Sequence, residues 1–335
     1  MQRVMVVVLA MALAVAACGG DDAAGDAERP PASAAWQALD ADVRALAERS
    51  SILVAEADDD GSLSAIHERD ADDIAPLGSI FKLYVLGALI ESIDAGEHTW
   101  DEELTVEEGD LSISGGPQTQ LGAALTLQEL ATLMIWPSDN HATDLIIRTL
   151  GRDAVEAMLE PMGMGAASRA RTLPFLTARE AFIVKWGARA ADYAPADEAG
   201  RRTILSEVAD EPVPNPFSID QTRPTEIDRV EWFATAEEVA AAHLWLDAAR
   251  TRPGADELDQ VLDQLGLDLD RTVWPRGAFK GGSEPGVLSL SWLLERRDAR
   301  RFVVVLQMSS TAKTIPDADG AELAQRTIDL VAEVP

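Results

Sequence analysis

Ser51-Ile52-Leu53-Val54-Ala55-Glu56-Ala57-Asp58-Asp59-Asp60-Gly61-Ser62-Leu63-Ser64-Ala65-Ile66-His67 reads as two β-strands joined across a turn. Two runs of strand-forming residues flank a polar tetrapeptide that ends in glycine, the composition of a hairpin. Working outward, Trp36, Leu39, Val43 and Leu46 recur at helical spacing between Ala34 and Arg49, so an amphipathic helix precedes the hairpin. Near the other end, Val287 to Glu295 and Arg301 to Met308 form a second hairpin across Arg296 to Arg300. Phe279 to Gly282 supplies the strand before it, and Asp319 to Ala332 is helical. The long stretch between these ends reads as almost wholly helical. The plan is therefore helix, two strands, helical insertion, three strands, helix. It predicts an α+β fold with one antiparallel five-stranded sheet built from both chain ends.

Within the insertion, Thr126 with Glu129, Thr177 with Glu180, and Thr235 with Glu238 form capping boxes ahead of apolar runs and mark helix starts. Pro76-Leu77-Gly78 precedes Ser79, and almost every residue from Ile80 to Ile90 is apolar. That pattern predicts a helix buried on all sides with Ser79 in its first turn, at the positive end of the helix dipole. The segment Ala188 to Val230 is rich in proline and charge and reads as an irregular lobe.

Composition narrows the function. The 335 residues are 47% hydrophobic, enough for a sizeable core, and the formal net charge is −30. Such an acidic body is repelled by nucleic acid and by anionic lipid surfaces. Met1 to Ala17 carries Arg3 and then an apolar run too short to span a bilayer, the pattern of a secretion signal. It ends Val15-Ala16-Ala17-Cys18, which resembles a bacterial lipobox. Cys18 is then the lipidated N-terminus of an exported protein anchored to the bacterial cell membrane, facing periplasm or exterior. The other reading is an ordinary signal peptide cleaved at an Ala-x-Ala-like site, leaving Cys18 a free thiol. Residues 19–33, rich in Gly, Ala, Asp and Pro, suit a flexible tether. The domain follows from residue 34 to 335, its sheet drawn from 34–75 and 275–335 and its helical part from 76–274. One cysteine excludes a disulfide framework, and the four histidines show no metal-binding spacing, so no metal or other cofactor is expected.

Three short motifs carry the chemistry: Ser79-Ile80-Phe81-Lys82, Ser138-Asp139-Asn140 and Lys280-Gly281-Gly282. Alone, the first is a common helical spacing, the second a good helix cap and the third a plain turn. Lysine usage sets them apart: the chain has only Lys82, Lys185, Lys280 and Lys313, its other cations being arginine. Arginine cannot lose its proton, whereas a partly desolvated amine can act as a base. Lys82 lies three residues after Ser79, on the same helix face, where burial pushes its ammonium toward neutrality. Ser79 is thereby marked as a nucleophile with a lysine partner.

In their order, these motifs resemble the S-x-x-K, S-D-N and K-T-G set of class A β-lactamases and penicillin-binding proteins. The resemblance implies the β-lactamase-like fold, with one sheet from both chain ends and a helical domain inserted. It implies a serine hydrolase opening an amide, β-lactam or ester through an acyl-Ser79 intermediate, acting as a monomer on a small-molecule or peptide substrate. By match, Ser138 relays a proton to the leaving nitrogen, the Asn140 amide binds substrate, and Asp139 is structural. Lys280 attracts a substrate carboxylate and keeps Ser138 polarised. Gly282 and Ser283 border the substrate, and the N–H groups of Ser79 and Ser283 form the oxyanion hole. Two departures stand out. Gly281 replaces the family's Thr or Ser and removes a hydroxyl donor. The Glu-x-x-Leu-Asn pattern that supplies a deacylating base is missing, with Thr172-Leu173-Pro174-Phe175-Leu176 in its place. The nearest acid, Glu180, is also the third residue of a capping box. A binding lipoprotein that is acylated and does not turn over, or a D-Ala-D-Ala peptidase or esterase, fits the same motifs.

Overall fold

The computed structural model describes residues 32–335, apart from residues 188 and 253. The apolar leader, Cys18 and the tether up to residue 31 lie outside the described residues. The first helix, α1 (Ala32–Leu46), starts two residues inside the expected tether. Next come β1 (Arg49–Ala57), β2 (Leu63–Arg69), β3 (Ala75–Pro76), a 3₁₀ turn at Gly78–Phe81 and α2 (Lys82–Asp94). The insertion continues with β4 (Glu103–Thr105), β5 (Ala124–Thr126), α3 (Leu127–Ile135), α4 (Asn140–Leu150), α5 (Arg152–Met158) and α6 (Ala166–Thr172). After these lie α7 (Ala178–Trp186), α8 (Ala190–Tyr193), α9 (Glu198–Val208), β6 (Phe233–Ala234), α10 (Ala236–Ala249) and α11 (Ala255–Leu262). The chain closes with β7 (Arg276–Glu284), β8 (Val287–Glu295), β9 (Arg301–Ser309) and α12 (Asp317–Ala332).

The five long strands form one antiparallel sheet in the order β2-β1-β9-β8-β7, joining the two chain ends through β1 and β9. The registers Leu53↔Val305, Leu290↔Leu306 and Lys280↔Ser291 fix which side chains share a face. Alternation then sorts them into two cores. On the outer face Ile52, Val54, Trp292, Phe302, Val304 and Leu306 pack with Trp36, Leu39 and Val43 of α1 and Leu323 and Ile328 of α12. On the inner face Leu53, Ala55, Leu293, Val303 and Val305 meet the helical insertion, including α2 and α10. Helix α2 is buried all round from Lys82 to Ile90, and each large side chain it hides contributes roughly 1.5–3 kcal/mol.

The α+β architecture is the one the period of the sequence predicts, and all three capping boxes form. Three expectations are corrected. Ser79 stands in the 3₁₀ turn that leads into α2, with the α-helix proper beginning at Lys82. The insertion is not wholly helical: β3 pairs with β6 and β4 with β5, strands of two or three residues with too few positions to show a period. The lobe after Ala188 contains α9, whose Asp197 side chain caps Gly200 N–H and whose Ile204, Leu205 and Val208 are buried, so only the part beyond it is irregular.

Candidate active site

The site is assembled where the Ser79 turn, the turn before α4 and the edge strand β7 converge. Ser289 Oγ of β8 donates to the Pro76 carbonyl (3.0 Å), and Leu77 N–H donates to the Trp232 carbonyl (2.9 Å), so the chain entering Ser79 is held from both sides. The Phe81 ring stacks on Trp232 with centroids 3.7 Å apart, which fixes the turn's exit.

Backbone meets backbone at Gly282. A Cβ there would fall 2.2 Å from the Leu77 oxygen and 2.4 Å from Ser79 N, so no other residue fits without moving the turn. Across the contact, a Cβ on Gly78 would lie 3.0 Å from Ser283 N. The N–H groups of Ser79 and Ser283 are therefore neighbours, one on a turn and one near the end of β7, the edge strand of the sheet. This is the disposition an oxyanion hole requires.

Lys82 Nζ donates to the Ser138 carbonyl (2.6 Å) and to Asn140 Oδ1 (2.6 Å), and stands 3.1 Å from Ser138 Oγ. Its hydrogen bonds run to the 138–140 turn and not to Ser79. Two of these partners can only accept, which uses the two N–H bonds of a neutral amine and turns its lone pair toward the Ser138 hydroxyl. Burial pulls the Lys82 ammonium down to about 7, with Asp139 and Asp144 opposing. Lys280 Nζ approaches the same Ser138 hydroxyl from β7 (2.9 Å) and donates to the Gly281 carbonyl (2.8 Å). Burial, and then the neighbouring Lys82, hold Lys280 well below the usual ammonium range. One hydroxyl thus sits between two buried amines.

The turn that presents Ser138 is strained. Its φ is +75°, a conformation that costs a non-glycine residue on the order of 1–3 kcal/mol. Asp139 keeps it in place: Oδ1 accepts from Ala142 N–H (3.0 Å) and caps α4, while Oδ2 accepts from Gly116 N–H (2.6 Å) and Thr119 Oγ1 (2.8 Å). Asn140 is buried, and its Nδ2 donates to the Ile113 carbonyl (2.7 Å), so its amide already joins Lys82 to the 112–119 loop.

Lys280 is held from behind. Ser291 Oγ donates to the Lys280 carbonyl (2.8 Å), so His243 Nε2, 2.9 Å from Ser291 Oγ, must donate to that hydroxyl. Burial, and then Arg250, pull His243 down to about 3, in keeping with a neutral ring. The place of the missing hydroxyl at Gly281 is filled: a Cβ there would fall 2.8 Å from the Phe279 ring and 3.3 Å from Leu290. Phe279 in turn meets Trp136 edge-on, two residues before Ser138.

Glu180 is committed elsewhere. One carboxylate oxygen accepts from Thr177 N–H (2.9 Å) and the other pairs with Arg152 (2.6 Å), in keeping with its reading as a capping-box residue and not as a base. The 172–176 segment is tied down and apolar: Thr172 bonds Phe233, and Phe175 packs edge-on against Phe81. Sequence reasoning missed Asp144, one helical turn beyond Asn140. Its buried carboxyl accepts from Ala178 and Arg179 N–H (both 2.7 Å), and burial pushes it up to about 8 against those bonds and Lys82. The available signal was an acid followed directly by Leu145-Ile146-Ile147. Also missed were His243, Ser291 and Trp232, whose partners are far away in sequence.

A model described as the β-lactamase enzyme family matches residues 34–206. Among solved structures, the chain is similar to a β-lactamase from Sphaerobacter thermophilus, with 19% identity and a TM-score of 0.60, covering 90% of this chain and 94% of that one. It is also similar to a mutant of PBP-A, determined as an acyl-enzyme complex with penicillin G, with 17% identity, a TM-score of 0.59, and 90% and 96% coverage. A β-lactamase from Francisella tularensis has 13% identity, a TM-score of 0.61, and 90% and 97% coverage. At these identities the likeness is one of fold.

Proposed function

The chain belongs to the β-lactamase enzyme family and is a serine hydrolase of β-lactamase type, and from that premise we propose that it works through an acyl-enzyme on Ser79. Ser79 Oγ attacks the carbonyl carbon of an amide, β-lactam or ester, and its proton passes to neutral Lys82. The oxyanion settles toward the N–H groups of Ser79 and Ser283. As the C–N or C–O bond breaks, Ser138 hands its proton to the leaving atom and is reprotonated from the lysines. The observation that carries this reading is the Ser138 hydroxyl between Lys82 and Lys280, at 3.1 and 2.9 Å. A proton relay needs that bridge; a helix cap does not.

Attack of water on the acyl-enzyme has less support. Glu180 is spent on its cap and on Arg152, and the segment that replaces the family's acid is apolar. Lys82 is then the base that remains, and turnover is slow. This favours a peptidase, an esterase, or a β-lactam-binding protein whose adduct persists over an efficient β-lactamase. Phe279 beneath Gly281 favours a substrate that does not depend on a hydroxyl–carboxylate contact there. We further propose export and lipid anchoring at Cys18, to be tested by the mass of the mature N-terminal peptide. A diacylglycerol on Cys18 supports the anchor, and a free thiol or a cut elsewhere removes it.

Intact-protein mass spectrometry after incubation with a penicillin and a cephalosporin, followed over time beside Ser79→Ala, tests the reading. A Ser79-dependent adduct that decays with product release identifies a hydrolase of β-lactams. One that persists identifies the stalled binder. No adduct removes the β-lactam branch and directs the assay to esters and D-Ala-D-Ala peptides.

A further inference from the structure

Three of the four lysines are buried, and the acyl-transfer chemistry uses only two of them. The third, Lys185 in α7, is 7% exposed. Its Nζ lies 2.5 Å from Glu284 Oε1 and 3.5 Å from Glu231 Oε2. Burial lowers the Lys185 ammonium, but Glu231 and Glu284 more than offset this and the net shift is upward. Burial raises Glu231 well above the usual carboxyl range, with Lys185 opposing and Glu284 reinforcing. The cluster is thus a charged lysine between two carboxyl groups, one of which burial makes reluctant to ionise.

What matters is where the two carboxyl groups are attached. Glu284 directly follows Ser283 at the end of β7, so its pairing with Lys185 pins the strand that carries one oxyanion N–H. Glu231 directly precedes Trp232, whose carbonyl accepts Leu77 N–H (2.9 Å), whose ring stacks on Phe81, and whose Nε1 donates to the Leu176 carbonyl (3.1 Å). Through Trp232 the same ammonium therefore pins the turn that carries Ser79. A buried ion pair is weak evidence for stability, since apolar residues of similar volume often hold a core as well. A lysine between the two walls of one site has a positional use instead.

We propose that Lys185 is a positioning residue for acyl transfer: by clamping Glu284 and Glu231 it sets the spacing between the Ser283 and Ser79 N–H groups. The inference rests on Ser79 being the acylated nucleophile. It is tested with Lys185→Met and Lys185→Arg, following acylation by benzylpenicillin and by a p-nitrophenyl ester over a range of concentrations, so that reversible binding and the acylation rate constant separate. Lys185→Met is expected to lower the rate constant on the order of a hundredfold, as loss of an oxyanion donor does, with reversible binding unchanged. Lys185→Arg, which keeps the charge, recovers part of it. A folded Lys185→Met that acylates at the wild-type rate, or a Lys185→Arg no better than Lys185→Met, overturns the clamp. If Lys185→Met does not fold, Glu284→Gln loosens the shortest contact alone; a lowered rate constant supports the clamp and a wild-type one overturns it. If neither probe acylates the wild-type protein and a D-Ala-D-Ala peptide also fails, the Ser79 reading falls and the clamp with it. Wild-type acylation beside unaltered variants removes the clamp only.

Discussion

The two faces of the five-stranded sheet use neighbouring residues of the same strands and are built on different physics. On the outer face Ile52, Val54, Trp292, Phe302, Val304 and Leu306 meet α1 and α12 through apolar volume. On the inner face the same alternation places Ser51, Ser289, Ser291, Gln307 and Lys280, all buried. Each of these polar side chains is used. Ser51 Oγ donates to Gln307 Oε1 (3.1 Å), and Gln307 Nε2 donates to the Ala234 carbonyl of the short β3–β6 pair (3.2 Å). Ser289 holds Pro76, and Ser291 holds Lys280. A face that has only to cohere is filled by shape, whereas a face that must fix atoms to fractions of an ångström needs directional bonds.

That contrast can be broken at four points. Lys82→Met is expected to lower acylation by roughly 10³- to 10⁴-fold, the upper range for a positioned proton acceptor. It should also lower the melting temperature, since the Ser138 carbonyl and Asn140 Oδ1 lose their buried donor. A folded Lys82→Met with wild-type acylation ends the proton-relay reading. On the outer face, Phe302→Ala empties a fully buried ring site and should cost about 3–5 kcal/mol in chemical denaturation. The acylation rate constant of the molecules that remain folded should not change, and a change there would show that the faces are not separable.

The third test is pH. In the proposed relay the active form of Lys82 is the neutral amine, and burial lowers its ammonium to about 7. The acylation rate should therefore rise about tenfold per pH unit well below that point and level above it, about fiftyfold from pH 5 to 7. A profile that is flat or falling over this window removes Lys82 as the base. The smallest effect is expected for Ser291→Ala, which leaves the Lys280 carbonyl and His243 Nε2 without their shared partner. About 1–3 kcal/mol of stability should be lost, with a moderate drop in acylation because Lys280 is less well held. Equal stability loss with no kinetic change would place Ser291 on the side of cohesion.

The sequence showed the outer face more fully than the inner one. Trp36, Leu39 and Val43, and the alternation in β8 and β9, are visible as periods because packing against a helix or sheet repeats along the chain. The three motifs were visible as residue types in order, and lysine scarcity marked two of them. The inner face hid the rest. Ser291 and His243 are 48 residues apart, and neither carries a local signature. Asp144 looked like one more acid in an acidic chain. Gly281 read as a lost hydroxyl, and only the fold shows Phe279 in its place.

By itself the sequence determined the long strands, the helices that flank them, three capping boxes, the α+β plan and the chemical types gathered at the site, since all of these follow from neighbours a few residues apart. The tertiary structure alone decided the left-handed turn at Ser138, the contact of Gly78 with Gly282, the hydroxyl shared by Lys82 and Lys280, and the burial of Lys185 between Glu231 and Glu284. Those depend on distances between segments that meet only when the two ends of the chain close into one sheet. Directional contacts of that kind leave no period to read.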